Sequence, residues 1–167
     1  MSDTNSQKHL YELLKDFSTA MLVSNDQSGR MHARPMAIAD LKPDADAYFA
    51  TSIQSPKVAE IQNYPEVLVS FQSPTQFASI LGTATIVKDR ALIEKLWSEE
   101  WRVWFPGGKD DPDLVLIKVD AREGEFWDNS GLHGLSYVFE GVKAVIKGEK
   151  LGNDKGVSHG KIRLVSG

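Results

Sequence analysis

The chain contains no cysteine. Disulfides, thiolate nucleophiles and cysteine-ligated zinc or iron–sulfur centres are therefore excluded, and a reducing compartment is expected. Long apolar runs are also missing. No stretch approaches the roughly 20 residues that cross a bilayer, and Met1 to Lys8 is polar where a secretory leader would carry an apolar core. These absences predict a cytoplasmic protein without a membrane partner. An excess of positive charge is absent as well. Lys and Arg number 19 against 23 Asp and Glu, a net charge of −4 with the two signs interleaved. No global field attracts phosphate backbones, so nucleic acid is not an expected partner. One or two well-placed cations can still hold a small anion.

Several chemical signatures are lacking too. No Walker loop, G-x-G-x-x-G or G-x-S-x-G occurs, leaving nucleotide hydrolysis and serine-esterase chemistry without support. His9, His32, His133 and His159 are scattered with no i, i+4 pair, so no metal site is expected. The carboxylates of Asp110, Asp111 and Asp113 lack the twelve-residue calcium-loop pattern and read as a turn or cap.

What is present is a patterned chain of 167 residues, the size of one domain, able to bury roughly 68–70% of its unfolded surface. Leu10, Leu13, Leu14 and Phe17 recur at helical spacing, predicting a helix over 6–17 with Ser6 as its cap. Short apolar runs and alternation predict strands at Thr19–Ser24, Met31–Leu41, Ala47–Ser52, Val67–Gln72 and Phe77–Lys88. The first two are joined by the turn Asn25–Gly29. Gly82 inside the fifth strand marks a bulge or bend. Pro56 suits the first turn of a short helix ending before Pro65. Asp89 caps another helix, bearing Leu92, Ile93, Leu96 and Trp97 on one face and extending toward Trp101. A sixth strand at Leu114–Val119 and a seventh at Glu125–Asp128 follow. Leu135, Val138, Phe139, Val142, Val145 and Ile146 again have helical spacing. The domain spans 1–147, and 148–167 is a tail with a terminal strand at Ile162–Val165. Many antiparallel strands with few, separated helices predict an α+β, mainly β fold: a barrel with peripheral helices.

One constellation carries chemistry. Two adjacent strands bring Arg34, Pro35 and Met36 toward Thr51 and Ser52, with Ser55, Pro56 and Lys57 beyond. A guanidinium, an ammonium, a hydroxyl and a helix N-terminus suit a phosphate. The plainer reading has Ser55 capping the helix, Lys57 solvated and Arg34 paired with a carboxylate. Among the tryptophans, Trp97 reads as core. Trp104 and Trp127 flank a Gly-rich loop and a strand end, where an aromatic can stack on a planar ring.

These pieces, in this order, resemble the pyridoxamine 5'-phosphate oxidase-like split-barrel family, and its general stress protein group in particular. The resemblance runs from about Leu10 to Val145. It includes Arg34-Pro35-Met36, Tyr48 to Ser52, Ser55-Pro56-Lys57-Val58, Gly82-Thr83-Ala84, Trp104 to Gly108, Asp111 to Leu116 and Phe126-Trp127-Asp128. It implies an antiparallel split β-barrel that forms a homodimer and holds flavin mononucleotide (FMN) between subunits. By motif position the phosphate end maps onto Arg34, Ser55 and Lys57. Pro35, Met36, Ala37, Thr51 and Ser52 would line the ribityl chain and ring, with Gln76 close to where the family's oxidases place a flavin-contacting glutamine; Trp127, from its own place at a strand end, is taken as a flavin neighbour. The family's true oxidases carry a C-terminal Arg-x-His segment, whereas the corresponding part of this sequence reads Lys161-Ile162-Arg163-Leu164-Val165, which argues against vitamin B6 oxidation. An oxidoreductase acting on an unidentified small substrate, a non-catalytic flavin carrier or sensor, and a related barrel using deazaflavin or haem all stay open. No catalytic residue is assigned.

Overall fold

A computed structural model of the chain describes residues 3–130 and 158–164. Seven antiparallel strands form one sheet: β1 (Thr19–Asn25), β2 (Met31–Leu41), β3 (Ala47–Ser52), β4 (Glu66–Gln72), β5 (Gln76–Val87), β6 (Leu114–Asp128) and β7 (Ser158–Arg163). Their order is β3-β2-β1-β4-β5-β6-β7, and β3 also pairs with β6, closing the first six strands into a barrel. The expected α+β split barrel is thus what the chain forms.

Closure depends on β6, which is one 15-residue strand and not the two short strands expected. One edge of β6 pairs with β5 along its length. The other edge pairs Leu114–Val119 with β3 and Glu123–Asp128 with β7, and there the barrel splits. The polar run Asp120–Glu123 reads as a break in sequence. In space it is a bulge, because pairing passes from Leu81–Glu123 to Gly82–Ala121 and leaves Arg122 extra. Gly82 is required there: a Cβ would lie 2.4 Å from the Asp120 carbonyl oxygen. The freed Arg122 carbonyl accepts the Leu164 N–H at 2.7 Å, just beyond β7. The terminal strand therefore starts earlier than expected, and Val165 lies outside the described residues. So do the helical pattern from Leu135 to Ile146 and the start of the tail.

Inward residues of the strands, among them Phe49, Phe71 and Phe126, form the main core with Leu10, Leu13 and Leu14 of α1 (Asp3–Leu14). This helix starts and ends three residues earlier than its apolar spacing predicts. Periodicity marks the buried face and not the ends, so Ser6 falls inside the helix and Phe17 beyond it, edge-on against Phe71. α2 (Pro56–Asn63) follows β3 directly. α3 (Arg90–Leu96) is capped by Asp89, whose Oδ1 accepts the N–H groups of Ala91 and Leu92 at 2.9 and 3.2 Å. It does not continue toward Trp101. Trp97 turns extended, and the chain re-enters a 3-10 turn over Glu99–Val103. That break sets Trp97 edge-on to Trp101 and lets Trp101 and Phe105 join Ile93, Leu114 and Leu116 in a second apolar cluster. Among the described residues no helix is long and apolar enough to cross a membrane.

Candidate functional site

β2 and β3 run antiparallel with Ile38 opposite Phe49, so Pro35–Ala37 lies alongside Ala50–Ser52. After β3 the chain turns through Ser52–Ser55, with the Ser55 N–H donated to the Ser52 carbonyl at 3.0 Å. Pro56 then starts α2. Between these segments and the 3-10 turn opens a cleft of about 520 Å³. Seven residues singled out by the sequence line it: Pro35, Met36, Ala37, Thr51, Ser52, Ser55 and Lys57. Trp104, singled out by the sequence as able to stack on a planar ring, forms an aromatic wall here with Trp101 and Phe105, which sequence reasoning did not place at the site. The signal was available in the Trp104-Phe105-Pro106 run, but its position depends on the broken helix.

Lys57 dominates the electrostatics. Its Nζ donates to Thr51 Oγ1 at 3.0 Å and to Ser55 Oγ at 2.7 Å. Both acceptors are neutral, and no ion pair to Lys57 exists among the described residues. Burial pushes its pKa below the ordinary lysine value. The neighbouring Arg34 charge adds to that, and Glu60 partly offsets it. A partly desolvated cation without a counter-ion is costly unless something anionic completes it. Ser55 stands at the N-cap position of α2 but makes no side-chain cap bond; its hydroxyl serves Lys57 instead.

Arg34 does not line the cleft. Its Nη1 donates to Ser24 Oγ at 2.6 Å and its Nη2 to Glu60 Oε2 at 3.0 Å. The carboxylate-paired reading thus holds for Arg34, although its charge is felt at Lys57.

Gln76 and Trp127 lie at the far end of the sheet, away from the cleft. Gln76 pairs with Asp128, and its Nε2 donates to Asp128 Oδ1 and Ser130 Oγ, each at 3.3 Å. Asp128 Oδ2 also bonds His9 Nε2 of α1 at 3.0 Å. Burial raises the Asp128 carboxyl, but the hydrogen bonds from Ser130, His9 and Gln76 outweigh it and hold the group below its ordinary value. Trp127 occupies the opposite face of the sheet, since neighbouring residues of a strand alternate. It is paired with Phe77 and stacks on His159 at 5.2 Å, and His159 Nε2 is 3.0 Å from Glu125 Oε1. The structure therefore separates Gln76 from Trp127. Phe77 and His159 are Trp127's companions, a grouping legible only once strand register is known. No group of three or more metal-ligating side chains occurs among the described residues. Asp111 makes the expected turn, its Oδ1 accepting the Asp113 N–H at 3.0 Å.

Comparison with known proteins adds independent evidence. The family model described as "Pyridoxamine 5'-phosphate oxidase like" matches residues 5–152. General stress protein 26 of Bacillus subtilis is 29% identical over 102 residues, which are 58% of this chain and 71% of that protein. Protein bli-3 of Neurospora crassa is 30% identical over 110 residues, 59% of this chain, and the match spans only 53% of that longer protein. Among solved structures, the general stress FMN/FAD binding protein of Xanthomonas citri superposes with a TM-score of 0.59 at 30% identity, covering 77% of this chain and 89% of that one.

Proposed function

Since this chain belongs to the pyridoxamine 5'-phosphate oxidase-like family and resembles its general stress proteins, we propose that it is an FMN-binding protein whose cleft between β2, β3 and α2 takes the phosphate end of the cofactor. The observation that carries this reading is Lys57, a half-buried ammonium that among the described residues bonds only to hydroxyls. A phosphate monoester supplies the missing negative charge and accepts from the remaining ammonium N–H and from the hydroxyls of Ser55 and Thr51. Pro35–Ala37 and Thr51–Ser52 flank the path away from that end. When bound, FMN supplies electron transfer through its ring system, while the chain orients it and limits water access. The finer proposal is redox turnover of a small molecule, supported by a cleft whose Trp104 wall is largely exposed. The cysteine-free composition suits the cytoplasm, which we include in the proposal.

A homodimer is part of the same reading. One outer face of the sheet runs from the cleft residue Pro35 through Met21, Ser70 and Ser79, which are aligned across four strands. Beside that row, Leu68 pairs with Leu81 and Phe77 with Trp127. Leu68, Phe77 and Trp127 are 38%, 39% and 36% exposed. Small and apolar groups on this outer sheet face support pairing with a second copy, which would bring Trp127 of one subunit toward the cleft of the other. A ligand held only by the assembled form favours it by mass action. Sedimentation at low protein concentration should therefore show FMN moving the population from monomer to dimer. Identical association with and without FMN would count against a shared site.

A further inference from the structure

We propose that Glu60, acting with Ser24, is a positioning residue that fixes the Arg34 guanidinium beside Lys57, even though its own negative charge opposes anion binding. The inference rests on the reading of the cleft as the FMN phosphate site and assigns to that site a component that none of its lining residues supplies.

The three side chains form a closed triangle. Ser24 Oγ donates to Glu60 Oε2 at 2.6 Å, Arg34 Nη1 donates to Ser24 Oγ at 2.6 Å, and Arg34 Nη2 donates to the same Glu60 oxygen at 3.0 Å. They come from β1, β2 and α2, so the triangle ties the cleft's strand to the helix that carries Lys57. It is well shielded: Ser24 is 0% exposed, and the side chains of Glu60 and Arg34 are 14% and 22% exposed. Burial pushes the Glu60 carboxyl up, but the bonds from Ser24 and Arg34, with the Arg34 charge, outweigh it and hold the group below its ordinary value. Glu60 is therefore ionised at neutral pH.

Two features point beyond a simple structural tie. A guanidinium has five N–H donors. Ser24 and Glu60 take two, and the described residues offer Arg34 no other acceptor. Further, Glu60 lies one helical turn from Lys57, on the same side of α2, and both Arg34 and Glu60 act electrostatically on Lys57. A carboxylate this close to an anion site weakens binding by Coulomb repulsion alone. Its presence is useful to the site if it spends that repulsion on holding a second cation, with free donors, in a fixed orientation.

The opposing signs make the test sharp. FMN affinity is measured by fluorescence titration for wild type, Glu60→Ala, Arg34→Ala and the double variant, each checked for an unchanged circular dichroism spectrum. Positioning predicts that Glu60→Ala weakens binding about tenfold although a repulsive charge has been removed. In the Arg34→Ala background the same change should bring no weakening, because the residue it positions is gone. Ser24→Ala, which changes no charge and serves if Glu60→Ala folds poorly, should show the same dependence on Arg34. Unchanged or tighter binding in Glu60→Ala, or equal weakening in both backgrounds, overturns the inference while leaving the FMN site standing. Failure of the wild-type protein to bind FMN overturns the reading beneath it, and this inference with it.

Discussion

Replacing Lys57 by Ala is expected to weaken FMN binding by about 1.5–3 kcal/mol, roughly tenfold to somewhat over a hundredfold. The size follows from what the side chain lacks. Among the described residues its Nζ bonds only to Thr51 and Ser55, and burial has already lowered its pKa. The desolvation penalty is therefore present before any ligand arrives, and the anion recovers it. Lys57→Met separates charge from packing because it keeps most of the apolar stem. It should lose nearly as much affinity as Lys57→Ala without lowering the melting temperature of the ligand-free protein, since an uncompensated buried cation does not support the fold. Isothermal titration of both variants checks this, and wild-type affinity in Lys57→Met would remove the ammonium from the site.

The largest effect on stability is expected at Phe126. Its ring is 1% exposed and lies between two elements. His9 of α1 stacks on one face with ring centroids 4.7 Å apart and planes 11° apart. The β7 backbone also passes so close that a Cβ on Gly160 would meet the ring at 2.5 Å. Phe126→Ala empties this space, and neither strand can collapse into it, because Phe126 and Gly160 are directly paired in the β6–β7 ladder. The cost is about 3–5 kcal/mol, which for a chain of this length lowers the melting temperature by roughly 6–20 °C. Thermal denaturation followed by circular dichroism reads it directly. A loss below about 1 kcal/mol would mean that α1 and β7 are not seated on this ring.

Part of this arrangement was legible in the sequence. Alternation gave β2 and β3 their limits, Pro56 opened α2, and Gly82 marked the bend, because each depends on local stereochemistry. Seven of the proposed contacts share one cleft for the same reason: they sit on adjacent strands joined by a short connection. The failures are tertiary. Asp120–Glu123 looks like a loop until β5, β3 and β7 pair around it. Trp101 and Phe105 enter the cleft only because α3 breaks at Trp97, a break that also sets the two indoles edge-on. Gln76 and Trp127 are close in register yet face opposite ways, and Arg34, a cation by sequence, is half spent on Glu60. The sequence lists the charges, and the fold determines which of them stay uncompensated.

The central claim is most directly tested by the absorption spectrum of the protein purified without added cofactor, with any chromophore released and identified by chromatography. The expected result is the visible absorption of a bound flavin, with FMN as the released compound or FMN taken up when added to colourless protein. A colourless protein that also fails to take up FMN would contradict it.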